Sequence, residues 1–258
     1  MRRTRGGIAY FSGGSGDHLL LLLHGLGATA AVWRRLLPLV EESWDGRWAA
    51  PDLRGHGLSL TEPPYGYGVH AADVAGLAAE LGVARVTVLG HSFGGVIGAV
   101  LGGGWYGVPV ERVVAVGVKM DWTDDEVARA QAMSARPPQV FASPLEAADR
   151  HLKLAGLRDL VDPADPVARA GVRIANGGWV AALDPRAFGA VGPPVETILS
   201  RSAAPLRLAA GSADPMVGLE AMRRVDPDAA LIDGAGHNAH WEDPAAVWSL
   251  LTADPTPL

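Results

Sequence analysis

The chain has 258 residues, with 22 Lys and Arg against 28 Asp and Glu for a formal net charge of −6, 48% hydrophobic residues and no cysteine. That length suits one large α/β domain, alone or with an inserted lobe, and the low charge content excludes a disordered chain. The lack of cysteine excludes disulfides, thiolate metal sites and a cysteine nucleophile, and mild acidity without a Lys/Arg block excludes a nucleic-acid partner, whose phosphates need a basic footprint.

The opening Met1-Arg2-Arg3-Thr4-Arg5 is basic, but Gly6-Gly7 follows it with no apolar run, so it reads as a solvated arm and not an export signal. Residues 19–23 (LLLLL) are the longest aliphatic run, far short of the roughly 20 residues that span a bilayer. The expectation is a protein of the cytoplasm with no membrane partner. Five short runs, 19–23, 86–89, 113–118, 206–210 and 229–232, are apolar at nearly every position, the pattern of strands buried on both faces of a parallel sheet. Helical patterns separate them. Residues 30–40 predict one short helix. Residues 71–81 predict another, with Val74, Leu77, Ala78 and Leu81 on one stripe and Gly82 where it should stop. A closing helix is predicted over 244–251, with Pro244 in its first turn. Such alternation implies a parallel sheet covered on both faces.

Residues 120–200 break the rhythm. They are rich in Asp, Arg, Ala and Pro, with helical pieces over 124–133 and 144–154 and no clear strand. A crossover needs about a dozen residues, so this stretch is predicted to be a helical lobe inserted between two strands. The predicted division is a core of residues 1–119 and 201–258 with an insertion of 120–200.

Gly90-His91-Ser92-Phe93-Gly94 stands directly after the strand-like 86–89 and directly before a helix-compatible 95–100. In a strand-turn-helix setting, small flanking residues permit a tight turn that lifts Ser92 Oγ above the sheet edge, at a helix N-terminus that favours developing negative charge. A serine needs a base and a carboxylate to orient it. His237 lies just past 229–232 and Asp214 just past 206–210, both at the carboxyl ends of predicted strands, giving the chain order Ser, Asp, His. An oxyanion would be met by the backbone N–H groups of Leu26, in His24-Gly25-Leu26-Gly27, and of Phe93.

The series HGLG (24–27), DLRGHG (52–57), GHSFGG (90–95), GSADPM (211–216) and GAGHN (234–238) resembles the α/β-hydrolase superfamily, in that family's order and over nearly the whole chain. The resemblance implies an α/β fold with a mostly parallel eight-stranded sheet, helices on both faces, and a helical cap after the sixth strand matching residues 120–200. It implies Ser92 as nucleophile, Asp214 as acid and His237 as base, with no cofactor. Serine at the nucleophile position departs from the epoxide-hydrolase and haloalkane-dehalogenase branches, which carry aspartate there. The expected function is cleavage of a carboxylic ester or lactone of a small, fairly hydrophobic substrate. One alternative is a C–C bond hydrolase acting on a vinylogous diketo acid, although Asn238 stands where such enzymes carry an aromatic; Arg173 or Arg150 would then hold the substrate carboxylate. The other is a low-turnover ligand receptor.

Asp121, close behind 113–118, is the alternative acid. Trp122, Met133, Trp179, Met216, His240 and Trp241 are candidates for an apolar pocket or its rim, with ordinary packing as the competing reading of each. His24 is expected to bond nearby backbone, His91 to pack beside the elbow, and no spacing such as H-E-x-x-H marks a metal site.

Overall fold

A computed structural model of the chain describes residues 1–190 and 192–252. Eight strands form one sheet: β1 (Arg2–Arg3), β2 (Ala9–Gly14), β3 (His18–Leu23), β4 (Arg47–Pro51), β5 (Arg85–His91), β6 (Val110–Val116), β9 (Leu206–Gly211) and β10 (Ala230–Ile232); β7 (Val172–Ala175) and β8 (Gly178–Ala181) pair separately. The order across the sheet is β1-β2-β4-β3-β5-β6-β9-β10, antiparallel from β1 to β4 and parallel from β4 onward. The basic arm is therefore not merely solvated. Arg2 and Arg3 are exposed but pair with Tyr10 and Ala9, and Arg3 donates to the carbonyl of Leu58.

The five leucines of β3 show why an unbroken aliphatic run suits a central parallel strand. Successive side chains point to opposite faces. Leu20 and Leu22 pack with Leu89, Val114, Trp33, Leu36 and Trp248 on one face; Leu19, Leu21 and Leu23 pack with Val86, Val88 and the helices α2 (Tyr67–Leu81) and α3 (Phe93–Gly102) on the other. Gly82, left-handed at φ 63°, ends α2 where the sequence places the stop. The helix α3 ends at Gly102, and Gly104 is left-handed, so the triple glycine closes that helix and does not interrupt it.

The single helix predicted over 30–40 is two. A 3-10 turn, Ala30–Arg35, is followed by α1 (Leu37–Ser43), because Pro38 lacks an N–H and fits only the first turn of a new helix.

Within residues 120–200, α4 (Asp124–Ser134) and α5 (Pro144–Leu154) are each fixed by a capping box, Thr123 with Glu126 and Ser143 with Glu146. Next come α6 (Pro166–Ala170), the β7–β8 hairpin, a 3-10 turn Pro185–Gly189 and α7 (Val195–Leu199). The hairpin corrects the expectation of a strandless lobe. Asn176 and Gly177 both have positive φ, 54° and 80°, the two-residue turn that matches strand twist. Residues 120–200 also contribute to the core under the sheet. Leu152, Leu157, Val161 and Val167 share one core cluster with Trp33 and Leu36, and α7 packs Val195 and Leu199 against Val96 and Ala99 of α3. By contrast α4 has no buried side chain. No helix among the described residues is long and apolar enough to cross a membrane.

Candidate active site

Ser92 stands between the end of β5 and the start of α3 with φ 49° and ψ −115°, a conformation that L-residues rarely adopt. Its neighbours hold it there. Gly94 could not carry a side chain, since a Cβ would lie 2.1 Å from the carbonyl oxygen of Leu23, and a Cβ on Gly90 would lie 2.5 Å from Gly94. Ser92 N–H donates to Val116 O at 2.8 Å, which ties the turn to the end of β6.

Loops after β9 and β10 supply the other two groups. Asp214 Oδ2 accepts from His237 Nδ1 at 2.8 Å, and its Oδ1 accepts from the Met216 N–H at 2.8 Å. The Asp214 side chain is 0% exposed and that of His237 18%. A carboxylate oxygen only accepts, so His237 Nδ1 carries a proton and donates it, and Nε2 is left as the ring nitrogen not engaged by Asp214. The two loops interlock because Gly211 lets the chain pass against Ala235 O, where a Cβ would come within 2.1 Å. Asp121 takes no part: it is exposed and pairs with Arg224 at 2.8 Å. The alternative acid is thus drawn away by a surface guanidinium.

Among the described residues no hydrogen bond joins Ser92 Oγ to His237. What ties the serine turn to the His237 loop is His91. Its ring lies 4.8 Å from that of His237, and its Nε2–H donates to the His237 carbonyl at 2.9 Å. Burial lowers the affinity of His91 for a proton well below the ordinary value, with nearby His240 and His237 adding to the effect, so it is neutral.

The loop after β3 lies against the same serine. A Cβ on Gly25 would stand 3.4 Å from Ser92 Cβ. The Leu26 N–H donates to no described group, and the Phe93 N–H, at the first position of α3, has no intrahelical acceptor. Two buried histidines shape this loop. His24 Nδ1–H donates to Gly25 O at 2.8 Å while Nε2 accepts from Leu53 N–H at 2.9 Å. His56 Nδ1–H donates to Arg54 O at 2.9 Å while Nε2 accepts from Gly27 N–H at 3.0 Å. Both must be neutral to accept, and burial ensures it, lowering His24 to about 4 and His56 well below its ordinary value. Asp52 supports the same region by accepting from the N–H groups of Ala30 and Leu58.

His56 and Asp52 are site-shaping residues that the sequence reading did not assign. The available signal was DLRGHG itself, but the partner of His56 is 29 residues away, and no local pattern reveals it. Asn238 has a similar role. It is buried, and its side chain donates to Gly156 O at 2.9 Å, fastening the His237 loop to the end of α5.

Several pocket candidates are corrected. His240 is fully buried between the rings of His91 and Trp33, 4.3 and 4.8 Å away, and Trp241 belongs to the main core, so neither forms a rim. The short helix over Ala239–Glu242 turns both inward. Trp122 is half exposed beside Lys119, and Trp179 pairs with Phe141 and Ile174 in the insertion. Met133 is half-buried on α4, and Met216 is exposed next to Asp214. Arg173 lines a cleft to which none of Leu26, Ser92, Phe93, Asp214 or His237 contributes, which removes it as holder of a carboxylate beside the serine. No group of three or more His, Asp or Glu among the described residues could hold a metal ion.

The decisive comparison is with protein families, where the model of the alpha/beta hydrolase family matches residues 20–250. The chain belongs to the alpha/beta hydrolase family. Two curated relatives are the magnesium-chelatase 30 kDa subunit of Rhodobacter capsulatus, 35% identical over 46% of this chain and 42% of that protein, and a serine hydrolase-like protein of Danio rerio, 28% identical over 64% and 54%. The chain thus spans about half the length of these curated relatives. Among solved structures, an E-2-(acetamidomethylene)succinate hydrolase superposes with a TM-score of 0.76 at 24% identity over 97% of both chains, a likeness of fold. This alpha/beta hydrolase has the family's eight-stranded, mostly parallel sheet with helices on both faces.

Proposed function

We propose that the protein is a serine hydrolase that cleaves a carboxylic ester or lactone of a small, fairly hydrophobic substrate through an acyl-enzyme. His237 Nε2 takes the Ser92 hydroxyl proton as Oγ attacks the carbonyl carbon, and the resulting oxyanion is held by the Leu26 and Phe93 N–H groups. His237 then protonates the leaving alcohol, takes a proton from water, and the water oxygen attacks the acyl carbon to release the acid and restore the serine. Asp214 fixes the tautomer throughout. The observation that carries the reading is the His237 Nδ1–Asp214 Oδ2 hydrogen bond of 2.8 Å, made by a fully buried carboxylate at the sheet end that also presents Ser92 in its strained turn. The apolar contact of Phe93 with Tyr67 and Leu26 supports a hydrophobic substrate part.

The test is intact mass after treatment with a fluorophosphonate. One adduct on the wild type, absent from Ser92→Ala, is expected, followed by turnover of p-nitrophenyl esters or lactones. A folded wild type that takes no adduct refutes the nucleophile. Tight ligand retention with negligible turnover would favour a receptor.

A further inference from the structure

A second cleft, of about 580 Å³, runs along the seam between the insertion and the core. Thr61 lines it from the core loop after β4; Ser134, Arg136, Arg173, Asp184 and Arg186 line it from the insertion. Three guanidinium groups therefore meet one carboxylate, and that carboxylate is already engaged. Asp184 accepts from Tyr65 OH at 2.7 Å and from Arg186 through Nε, a terminal nitrogen and the backbone N–H, at 2.6 to 3.1 Å. The Arg173 side chain makes no hydrogen bond or ion pair among the described residues, and its Nε is buried without an acceptor. Arg136 is exposed and makes no ion pair among them either. Arg136 and Arg173 thus bring two guanidinium groups without an acidic partner to the cleft, and the group that pairs best with them is a planar or tetrahedral oxyanion, which can accept two parallel N–H bonds. Thr61 adds a hydroxyl of the kind that accompanies such anions, whereas the Ser134 hydroxyl is already donated to Gln131 O at 2.7 Å.

We propose that this cleft is a binding site for a small oxyanion, a carboxylate or a phosphate, held by Arg173 and Arg136 and separate from the serine centre. Because Thr61 belongs to the core and the arginines to the insertion, a bound anion bridges the two and holds α4 and the hairpin against the loop over 52–62.

Isothermal calorimetry at fixed ionic strength, with succinate in one arm, inorganic phosphate in a second and chloride as the control, tests this. Saturable binding of succinate or phosphate is expected, the tighter of the two identifying the ligand's source, with chloride silent. Arg173→Gln should weaken binding about tenfold or more, the range for a lost charge-assisted hydrogen bond. Arg136→Gln, an exposed change that leaves folding intact, should weaken it several-fold and serves if the first variant does not fold. Binding should persist in protein phosphonylated at Ser92 and in Ser92→Ala, which keeps this result independent of the serine chemistry. No saturable heat, a chloride response of equal size, unchanged affinity in the folded arginine variants, or loss of binding on phosphonylation would each overturn the proposal.

Discussion

Acid should unfold this protein well before its carboxylates protonate, and the size of the effect follows from the buried histidines. A histidine buried as the neutral base binds a proton more weakly in the folded chain than in the unfolded one. Its contribution to stability is complete above the ordinary value of 6.5 and is lost as pH falls toward the folded value. His24 and His151 are pushed down to about 4 and His240 to about 3, in each case chiefly by burial. At pH 5 each of the three then removes about 2 kcal/mol relative to pH 8, or about 6 kcal/mol together, against a typical total of about 5–15 kcal/mol. His56 and His91 act in the same direction, while Asp52, raised by burial, offsets part of the loss. Urea titrations at several pH values measure this directly. The slope between about pH 4.5 and 6 should approach 4 kcal/mol per pH unit from the three histidines alone, and His240→Phe, which replaces a ring without hydrogen-bond partners, should remove about a third of it. A stability that is flat from pH 8 to pH 5, or a slope unchanged in His240→Phe, would refute the reasoning.

The remaining expectations concern the site. Asp214→Asn should lower the rate of fluorophosphonate labelling by about 10³-fold or more, because the tautomer of His237 is no longer fixed, while Asp121→Asn should leave it unchanged; the reverse ranking would move the acid. His91→Phe leaves the His237 carbonyl without its donor, so labelling should slow about tenfold with little change in Asp214 pairing, as read from the downfield His237 proton resonance; full activity would remove His91 as a positioning residue. His56→Ala orphans the Gly27 N–H and should lose about 1–3 kcal/mol of stability together with activity, a loss that His56→Gln, which keeps an acceptor, partly restores. In Gly27→Ala the added carbon would meet Leu154 O at 2.7 Å in a left-handed turn of φ 84°, so the melting temperature should fall by several degrees; an unshifted melt would show that the loop yields.

What was legible in the sequence was whatever a short stretch encodes by itself. The leucines of β3 declare a doubly buried strand, and Gly82 declares the end of α2. The positions of Ser92, Asp214 and His237 at strand ends were readable because each sits in a turn after an aliphatic run. The strands β2 and β4 were missed because they lie toward the antiparallel edge of the sheet and mix Gly, Ser, Arg and Trp with their apolar residues. The hairpin was missed although Asn176-Gly177 marks it, since the composition around it favoured helix. The inward turn of His240, the capture of Asp121 by Arg224 and the acceptor role of His56 depend on partners tens of residues away, and no local periodicity carries that information.

The contrast between α4 and α5 governs where this fold can accept change. Surface substitutions away from special features usually alter stability by no more than about 0.5 kcal/mol, whereas truncating a buried leucine costs about 2–5 kcal/mol. Leu152 and Ala148 of α5 are core residues of the whole protein, so that helix is held to its present sequence. Following β6 without a single buried side chain, α4 is the segment along which selection or directed evolution can alter the sequence while the folding threshold stays out of reach.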